Sequence, residues 1–207
     1  MTYNNKKPTI YCSIDIECDG ANLIKNSCIM VGMAFSKPLD QITNYDTEWD
    51  YCLYKKEWCI AKEPGTVEEV ECMEQFWSQN QECYKYIKDN QQSLEIVTSN
   101  ISGFIKGLED GYSIKYIASP TSYDLAWYKY IMALNNQPDY GHTAICISTM
   151  LKVADYLGIK REVLNKEIRT ENLPHTHFAE DDALEQLYIF LKLKHFFTQG
   201  NFETYKD

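Results

Sequence analysis

The 207-residue sequence lacks any apolar run long enough to cross a bilayer. Its longest run, Cys28–Phe35 with Gly32 included, falls far short of the roughly 18–20 residues that a membrane span requires. The first residues, MTYNNKKPTI, have no apolar core of the kind a secretory signal carries. Glycine and proline are scarce, at 9 and 6 residues, while 44% of the chain is hydrophobic, which excludes a collagen-like or disordered chain. We therefore expect a soluble globular protein with one domain spanning 1–207 and no membrane partner.

Closely spaced cysteine pairs are also absent, although the chain has 8 cysteines. A zinc site built on sulfur normally needs such pairs, and a chain of this length can form a core without disulfides. Several of the cysteines lie in apolar stretches, where cysteine behaves as a small hydrophobic residue. The pattern predicts free thiols in a reducing, cytoplasmic compartment.

Positive charge is in the minority, with 20 Lys and Arg against 30 Asp and Glu and a net charge of −10. A protein that holds nucleic acid through a broad basic surface has the opposite balance. Any nucleic-acid binding must therefore depend on a local site.

The order of apolar patterns predicts a mixed α/β sheet. Short runs rich in β-branched residues indicate five strands, at Pro8–Asp15, Ser27–Phe35, Tyr51–Ile60, Tyr112–Ala118 and His142–Ile147. Helical spacing or helix-start residues indicate five helices, at Thr66–Gln79, Gln91–Glu109, Ser122–Leu134, Thr149–Leu157 and Ala179–Phe197. Three adjacent strands followed by strand–helix units are typical of a sheet that begins antiparallel and carries helices on its faces.

Two carboxylates end the first predicted strand, in the segment Ile14-Asp15-Ile16-Glu17. Residues two apart on a strand point to the same face, so Asp15 and Glu17 can reach one cation. A D-x-E triplet is common in an acidic chain, and Asp46-Thr47-Glu48 is a second one. Only the first follows an apolar strand, where a buried carboxylate must be paired or bind a metal.

A histidine and an aspartate five residues apart mark the start of the last predicted helix, in His177-Phe-Ala-Glu-Asp-Asp182-Ala183. At average residue frequencies, the pattern H-x-A-x-x-D-A occurs by chance in on the order of one chain in several hundred. A third carboxylate, Asp124, follows the fourth strand in the segment SYDLAW, where capping by Ser122 is the ordinary explanation. Taken in order, these residues form a set of four carboxylates and one histidine.

This set resembles the DEDDh branch of the DEDD 3′–5′ exonuclease family, whose three motifs correspond here to SIDIEC, SYDLAW and HFAEDDA. The resemblance covers Ile10 to about Phe190 and is nearest to the small stand-alone members of the phage exonuclease A and bacterial exoribonuclease type, because Glu74–Gln79 is similar to an aromatic segment between their first two motifs. It implies a ribonuclease H-like fold, that is, a mixed five-stranded sheet with helices on both faces.

The same resemblance implies a metal-dependent 3′–5′ exonuclease that releases nucleoside 5′-monophosphates from single-stranded RNA or DNA with a free 3′ end. Asp15, Glu17, Asp124 and Asp182 would hold two Mg²⁺ or Mn²⁺ ions, with Asp15 bridging both, and His177 would be the general base. His175 would be dispensable. Substrate contacts are expected, by the same resemblance, from Cys18, Phe76, Trp77, Tyr123 and Phe178.

Two positions depart from the family pattern. Many members have threonine where this chain has Cys18, and asparagine where it has Pro120. The alternative is a non-catalytic nucleic-acid or protein-binding module on the same fold, with its aromatic residues as stacking platforms. Four convergent carboxylates argue against that alternative, because without metals they repel phosphate.

Overall fold

The computed structural model describes residues 7–43, 50–138, 140–168 and 175–199. Five strands are present in this part: β1 (Thr9–Cys18), β2 (Cys28–Ser36), β3 (Cys52–Cys59), β4 (Ser113–Ala118) and β5 (Ala144–Cys146). Six α-helices accompany them: α1 (Gln81–Asn90), α2 (Leu94–Glu109), α3 (Ala126–Leu134), α4 (Ile147–Tyr156), α5 (Arg161–Ile168) and α6 (Ala179–Gln199). Within the described ranges, no helix combines the length and the apolar character that a membrane span needs.

The sheet has the strand order β3-β2-β1-β4-β5. β1 pairs antiparallel with β2, and β2 pairs antiparallel with β3, which confirms the antiparallel start. β4 then joins the other side of β1 in parallel, followed by β5. The longest apolar strands, β1 and β2, therefore lie in the middle of the sheet, where both faces are covered.

Alternation along β1 assigns its side chains to two different cores. Ile10, Cys12, Ile14 and Ile16 pack on the face covered by α2 and α3. Tyr11 packs on the opposite face, against α6 and its neighbouring helices. Because successive side chains of a strand point to opposite faces, Asp15 and Glu17 lie on the Tyr11 face, the side of α6. The fold thus directs both carboxylates toward the last helix.

The helix expected over Thr66–Gln79 is wrong in its first part. Helical structure begins at Val70 and continues as a π-helical turn over Cys72–Trp77. The preceding residues are not helical, because their amides bind another loop: Val67 N–H donates to the Lys25 carbonyl and Glu69 N–H to the Asp19 carbonyl, at 2.8 Å each. These hydrogen bonds hold the segment against the β1–β2 connection.

Other predicted helices also have different boundaries in the structure. The helix expected over Gln91–Glu109 is α2, which begins three residues later, at Leu94, where Ser93 caps it by accepting from Ile96 N–H. The helix before it, α1, was not predicted from the sequence. The helix expected from Ser122 begins as a π-helical turn at Thr121, without the side-chain cap predicted from Ser122. Residues Asp46 and Glu48, of the second D-x-E triplet, lie outside the described residues.

Gly32 allows α6 to approach the centre of the sheet. It pairs with Asp15 across β1 and β2, and a Cβ atom placed on it would lie 2.0 Å from the Ala179 carbonyl carbon and oxygen. Backbone on both sides leaves no flexible side chain to move away. Glycine is therefore required at this position for the first turn of α6 to rest on β2 opposite Asp15.

We expect Gly32→Ala to destabilise the protein by about 1–3 kcal/mol or more, because α6 must move away from β2 to admit the methyl group. Since Asp182 lies on the first turns of α6, activity should fall as well. The measurement is the free energy of unfolding by urea, together with turnover in any nuclease assay.

Gly103→Ala is the matched control, because Gly103 lies in α2 with nothing within 4 Å of the added Cβ. It should stabilise the protein by about 0.5–1 kcal/mol through its higher helix propensity. Equal effects of the two substitutions would contradict the contact assigned to Gly32.

Candidate active site

The first two carboxylates of the site lie at the end of β1. Asp15 and Glu17 are each only 8% exposed, on the face that meets α6. Gln186 of α6 donates through Nε2 to Asp15 Oδ1 at 2.6 Å. Among the described residues, no lysine or arginine forms an ion pair with either carboxylate.

The third carboxylate, Asp182, comes from the first turns of α6 and is 1% exposed. It accepts the backbone N–H of Thr176 at Oδ1 (2.9 Å) and that of His177 at Oδ2 (3.1 Å). His177 has a φ of +63°, which turns the chain just before the helix. Asp182 therefore fixes the loop that carries the histidine, and its own position is fixed in return.

Asp15, Glu17 and Asp182 converge on one point. One oxygen of each carboxylate lies within 4.8 Å of the other two, a spacing that a single divalent cation can bridge. Three buried carboxylates this close repel one another unless protons or a cation are present. Their oxygen ligands suit Mg²⁺ or Mn²⁺, so the donor set fits the metals that the sequence implies.

The pKa values reflect this crowding. Burial raises the pKa of both Asp15 and Glu17 well above the ordinary values, and repulsion from neighbouring carboxylates adds to the rise. Burial also raises the pKa of Asp182, opposed by the Thr176 amide and by the two nearby histidines. In the absence of a cation the site therefore retains protons that ordinary carboxylates would have lost.

Asp124 lies beside this group rather than within it. It sits in a π-helical turn, Thr121–Leu125, and is 4% exposed. Burial raises its pKa to about 7 despite opposing backbone hydrogen bonds, and its charge contributes to the raised pKa of Asp15. Its Oδ2 atom is buried without a hydrogen-bond partner. An unpartnered buried oxygen of this kind is suited to a water or a cation in the bound state.

Two histidines face the carboxylates. His177 Nδ1 lies 4.0 Å from Glu17 Oε1 and 3.9 Å from Asp182 Oδ2, and burial lowers its pKa, with His175 adding to the effect. His175 Nδ1 lies 3.2 Å from Asp182 Oδ2, and its hydrogen bond with Glu185 raises its pKa. At neutral pH the His177 imidazole is therefore neutral and can accept a proton.

A cleft of about 360 Å³ opens above these groups. Of the residues for which substrate contacts are expected, Cys18, Phe76 and Tyr123 line it. The Phe76 ring lies 4.7 Å, centroid to centroid, from the His177 ring. Further walls come from Glu69 and Ala21, joined by a hydrogen bond of 3.1 Å from the Ala21 N–H. The cleft thus has an acidic floor and an aromatic side.

Trp77 and Phe178 are not among the residues that line the cleft. Trp77 is 2% exposed and donates through Nε1 to the Cys18 carbonyl at 3.0 Å, so it supports the cleft floor from below. Phe178 packs against Tyr86, with 5.4 Å between the ring centroids. The structure therefore brings together four of the five proposed catalytic residues, places Asp124 beside them, and lines the cleft with three of the five expected substrate contacts.

Three features of the site have weak sequence signals. Gln186 lies one helical turn after Asp182, a spacing that places both on the same face of α6. His175 is two residues before His177, but the chain turns at His177, so no regular spacing in the sequence indicates that both rings face Asp182. The role of Gly32 depends on the approach of α6, which the sequence does not show.

Comparison with known proteins gives the fold. No protein-family model matches the chain, and no curated protein matches it in sequence. Solved structures do match. The nuclease domain of 3′hExo, described as a DEDDh family member and bound to rAMP, has a TM-score of 0.61 at 11% identity, with 96% of this chain and 94% of that chain covered.

Two other structures show the same likeness. Pop2p of S. pombe, in a form with Mg²⁺ and Mn²⁺ bound, has a TM-score of 0.66 at 16% identity, covering 94% of this chain and 86% of that chain. Cell-death related nuclease 4 has a TM-score of 0.63 at 14% identity, covering 93% and 64%. The mixed five-stranded sheet with helices on both faces is therefore the ribonuclease H-like fold of these structures, as expected.

Proposed function

We propose that this protein is a metal-dependent 3′–5′ exonuclease of the DEDDh family, acting as a single domain over 1–207. One observation carries the proposal: Asp15, Glu17 and Asp182 converge within 4.8 Å beside His177, buried and without a lysine or arginine partner in the described residues. The fold shared with the solved nucleases 3′hExo and cell-death related nuclease 4 supports it. The substrate is single-stranded RNA or DNA with a free 3′ end.

Each residue of the site has a separate proposed role. Asp15, Glu17 and Asp182 would hold one Mg²⁺ or Mn²⁺, and Asp15 with Asp124 would hold a second. When bound, two such cations neutralise the phosphate charge and activate water. Asp182 also orients His177 through the loop amides, and the neutral His177 would take the proton from the attacking water at Nδ1, the nitrogen that faces the carboxylates.

A non-catalytic binding module on the same fold accounts less well for this site. Its stacking platforms would be aromatic, and Phe76 and Tyr123 do line the cleft. Three buried carboxylates on the floor would nevertheless repel a phosphate backbone. Their burial also costs stability that a binding module has no reason to lose.

The test is degradation of 5′-labelled RNA and DNA oligomers with Mg²⁺ or Mn²⁺. We expect a ladder shortened one nucleotide at a time from the 3′ end, with nucleoside 5′-monophosphates released and no products in excess chelator. Running both sugars in parallel determines the preference between RNA and DNA. Internal cuts, or a ladder that persists in chelator, would contradict the proposal.

Stability should depend on pH and on metal together. The pKa of Asp124 rises from the ordinary 3.8 to about 7 on folding, and those of Asp15, Glu17 and Asp182 also rise. Between about pH 4 and 7 the folded state therefore binds more protons than the unfolded state, so stability falls as pH rises. Divalent metal reverses this loss, because it binds the deprotonated oxygens.

We expect the metal-free protein to melt at a lower temperature at pH 8 than at pH 5.5, and Mg²⁺ to raise Tm more at pH 8. At a concentration 100 times its Kd, Mg²⁺ adds about 2.7 kcal/mol, roughly 5–10 °C for a chain of this size. Calorimetry with chelator or Mg²⁺ at both pH values measures the effect. Asp15→Asn should reduce the Mg²⁺ response, and an equal response at both pH values would contradict this prediction.

A further inference from the structure

His175 has no part in the proposed reaction, yet it lies in the cleft. Its Nδ1 atom is 3.2 Å from Asp182 Oδ2, and its ring meets the His177 ring edge-on at 4.5 Å between centroids. Its side chain is 56% exposed, so a solute can reach it from the cleft. Two imidazoles therefore face one carboxylate oxygen beside the group of three carboxylates.

We propose that His175, His177 and Asp182 form a binding site for Zn²⁺. One ligand atom of each lies within 4.8 Å of the other two. Tetrahedral zinc with bonds of about 2.0–2.1 Å places neighbouring ligand atoms roughly 3.3–3.4 Å apart. The His175 nitrogen already meets that spacing to Asp182, and the His177 nitrogen, at 3.9 Å, needs a shift of only a fraction of an ångström.

The ligand types select zinc over magnesium. Imidazole nitrogen suits Zn²⁺, whereas Mg²⁺ takes oxygen ligands and gives up its waters reluctantly. Asp15, Glu17 and Asp182 offer only oxygen, so the cleft contains two overlapping sites of different chemistry that share Asp182. Three protein ligands with a fourth position open to the cleft is the arrangement of an accessible zinc site.

The surrounding structure holds these ligands in place before any metal arrives. The Thr176 and His177 amides fix the Asp182 carboxylate, and Cys83 Sγ donates to the His177 carbonyl. Glu185 Oε2 lies 3.3 Å from His175 Nδ1, the same nitrogen that faces Asp182, so a metal bound there would replace this hydrogen bond. Hydrogen bonds to the metal ligands from groups that do not bind the metal themselves are typical of metal sites and strengthen binding.

Zinc at this site would inhibit the enzyme, a consequence that depends on the proposed function. A zinc ion bound to His177 Nδ1 occupies the nitrogen that would accept the proton from water. It also takes Asp182 from the oxygen site. Zinc binding itself does not depend on nuclease activity, so the two can be tested separately.

The experiment is a titration of the full chain with ZnSO₄ without nucleic acid, followed by calorimetry, and with Co²⁺ followed by visible absorption. We expect one zinc per chain and a tetrahedral cobalt spectrum without a thiolate charge-transfer band. Loss of a residue that hydrogen-bonds a metal ligand typically weakens metal binding by about 10–100-fold. His175→Ala removes a ligand itself, so it should weaken zinc binding by at least that factor. Circular dichroism checks that the variant is folded.

Two control variants separate this site from other zinc ligands. His142→Ala removes an exposed histidine far along the chain, and Cys72→Ser removes a thiol that lines the cleft. Both should bind zinc as the parent does. Loss of the zinc in Cys72→Ser, or unchanged affinity in His175→Ala, would overturn the proposal.

Activity gives the second readout. Zinc should inhibit Mg²⁺-supported hydrolysis. When each rate is expressed as a fraction of the same protein's zinc-free rate, the half-inhibiting zinc concentration should be at least about tenfold higher for His175→Ala than for the parent. If no metal supports hydrolysis but His175→Ala still loses the zinc, the zinc site stands and the proposed function fails. If the enzyme is active and zinc inhibits parent and His175→Ala equally, the site fails and the function stands.

Discussion

Asp15→Asn is expected to abolish hydrolysis with either Mg²⁺ or Mn²⁺. Asp15 contributes to the group of three carboxylates. Burial raises its pKa, and the nearby charges of Asp124 and Asp182 add to the rise, so Asp15 is the carboxylate proposed to serve both cations. An amide has almost the same shape but no charge, and it cannot compensate two cations. The variant should retain the fold while losing metal affinity, measured by Mn²⁺ titration and by release of labelled nucleotide.

Asp40→Asn is the matched control, because Asp40 is an exposed aspartate on the short turn after β2. It should bind Mn²⁺ and degrade substrate at the parental rate. The Gln186 side chain, which donates to Asp15 Oδ1, can re-form a hydrogen bond to the asparagine oxygen, so a folding defect is not expected. Undiminished degradation by Asp15→Asn would rule out the metal-dependent mechanism.

His177→Ala is expected to lower turnover by about 10²–10⁴, the range for loss of a general base. Because the carboxylates remain, Mn²⁺ affinity should change little, so the loss falls on kcat rather than on metal binding. The neutral His177 also predicts a specific pH profile. Its pKa lies below the ordinary value. At Mg²⁺ concentrations high enough to keep the carboxylates deprotonated, the parental rate should therefore remain high down to mildly acidic pH and then fall as the imidazole becomes protonated.

The control for this prediction is His142→Ala, which removes an exposed histidine outside the cleft and should be silent. The expected effect of His175→Ala differs between the sequence and the structure. The resemblance indicates that His175 is dispensable, but its ring shares the Asp182 carboxylate with His177. A loss confined to His175→Ala, with His177→Ala silent, would exchange the roles assigned to the two histidines.

The parts of the candidate site that depend on local backbone geometry were predictable from the sequence. Asp15 and Glu17 share a face because strand side chains alternate, and Asp182 lies near His177 because both flank the start of α6. The approximate positions of the five strands along the chain were also predictable, because apolar runs are local signals. Resemblance then joined the motifs across more than 160 residues of chain, which no local rule does.

The parts that could not be predicted depend on contacts between distant segments. Trp77 was expected at the substrate, but its indole N–H reaches the Cys18 carbonyl beneath the cleft. Thr66 and Val67 were expected in a helix, but the Val67 N–H donates to the Lys25 carbonyl, which holds this segment in a loop. In both cases a hydrogen bond between distant segments decided the position of the residue, and a local helix preference is weak in comparison.

The two outer strands of the sheet have a consequence for how copies of this chain behave beside one another. An open sheet edge can add a strand from a second molecule and so begin aggregation. β5 is only three residues long, and β3 carries Lys55, Lys56 and Glu57 in succession along its edge. Lys55 is further committed to Glu180 and Asp181 of α6. Short length on one side and charge on the other protect this sheet from edge-to-edge growth.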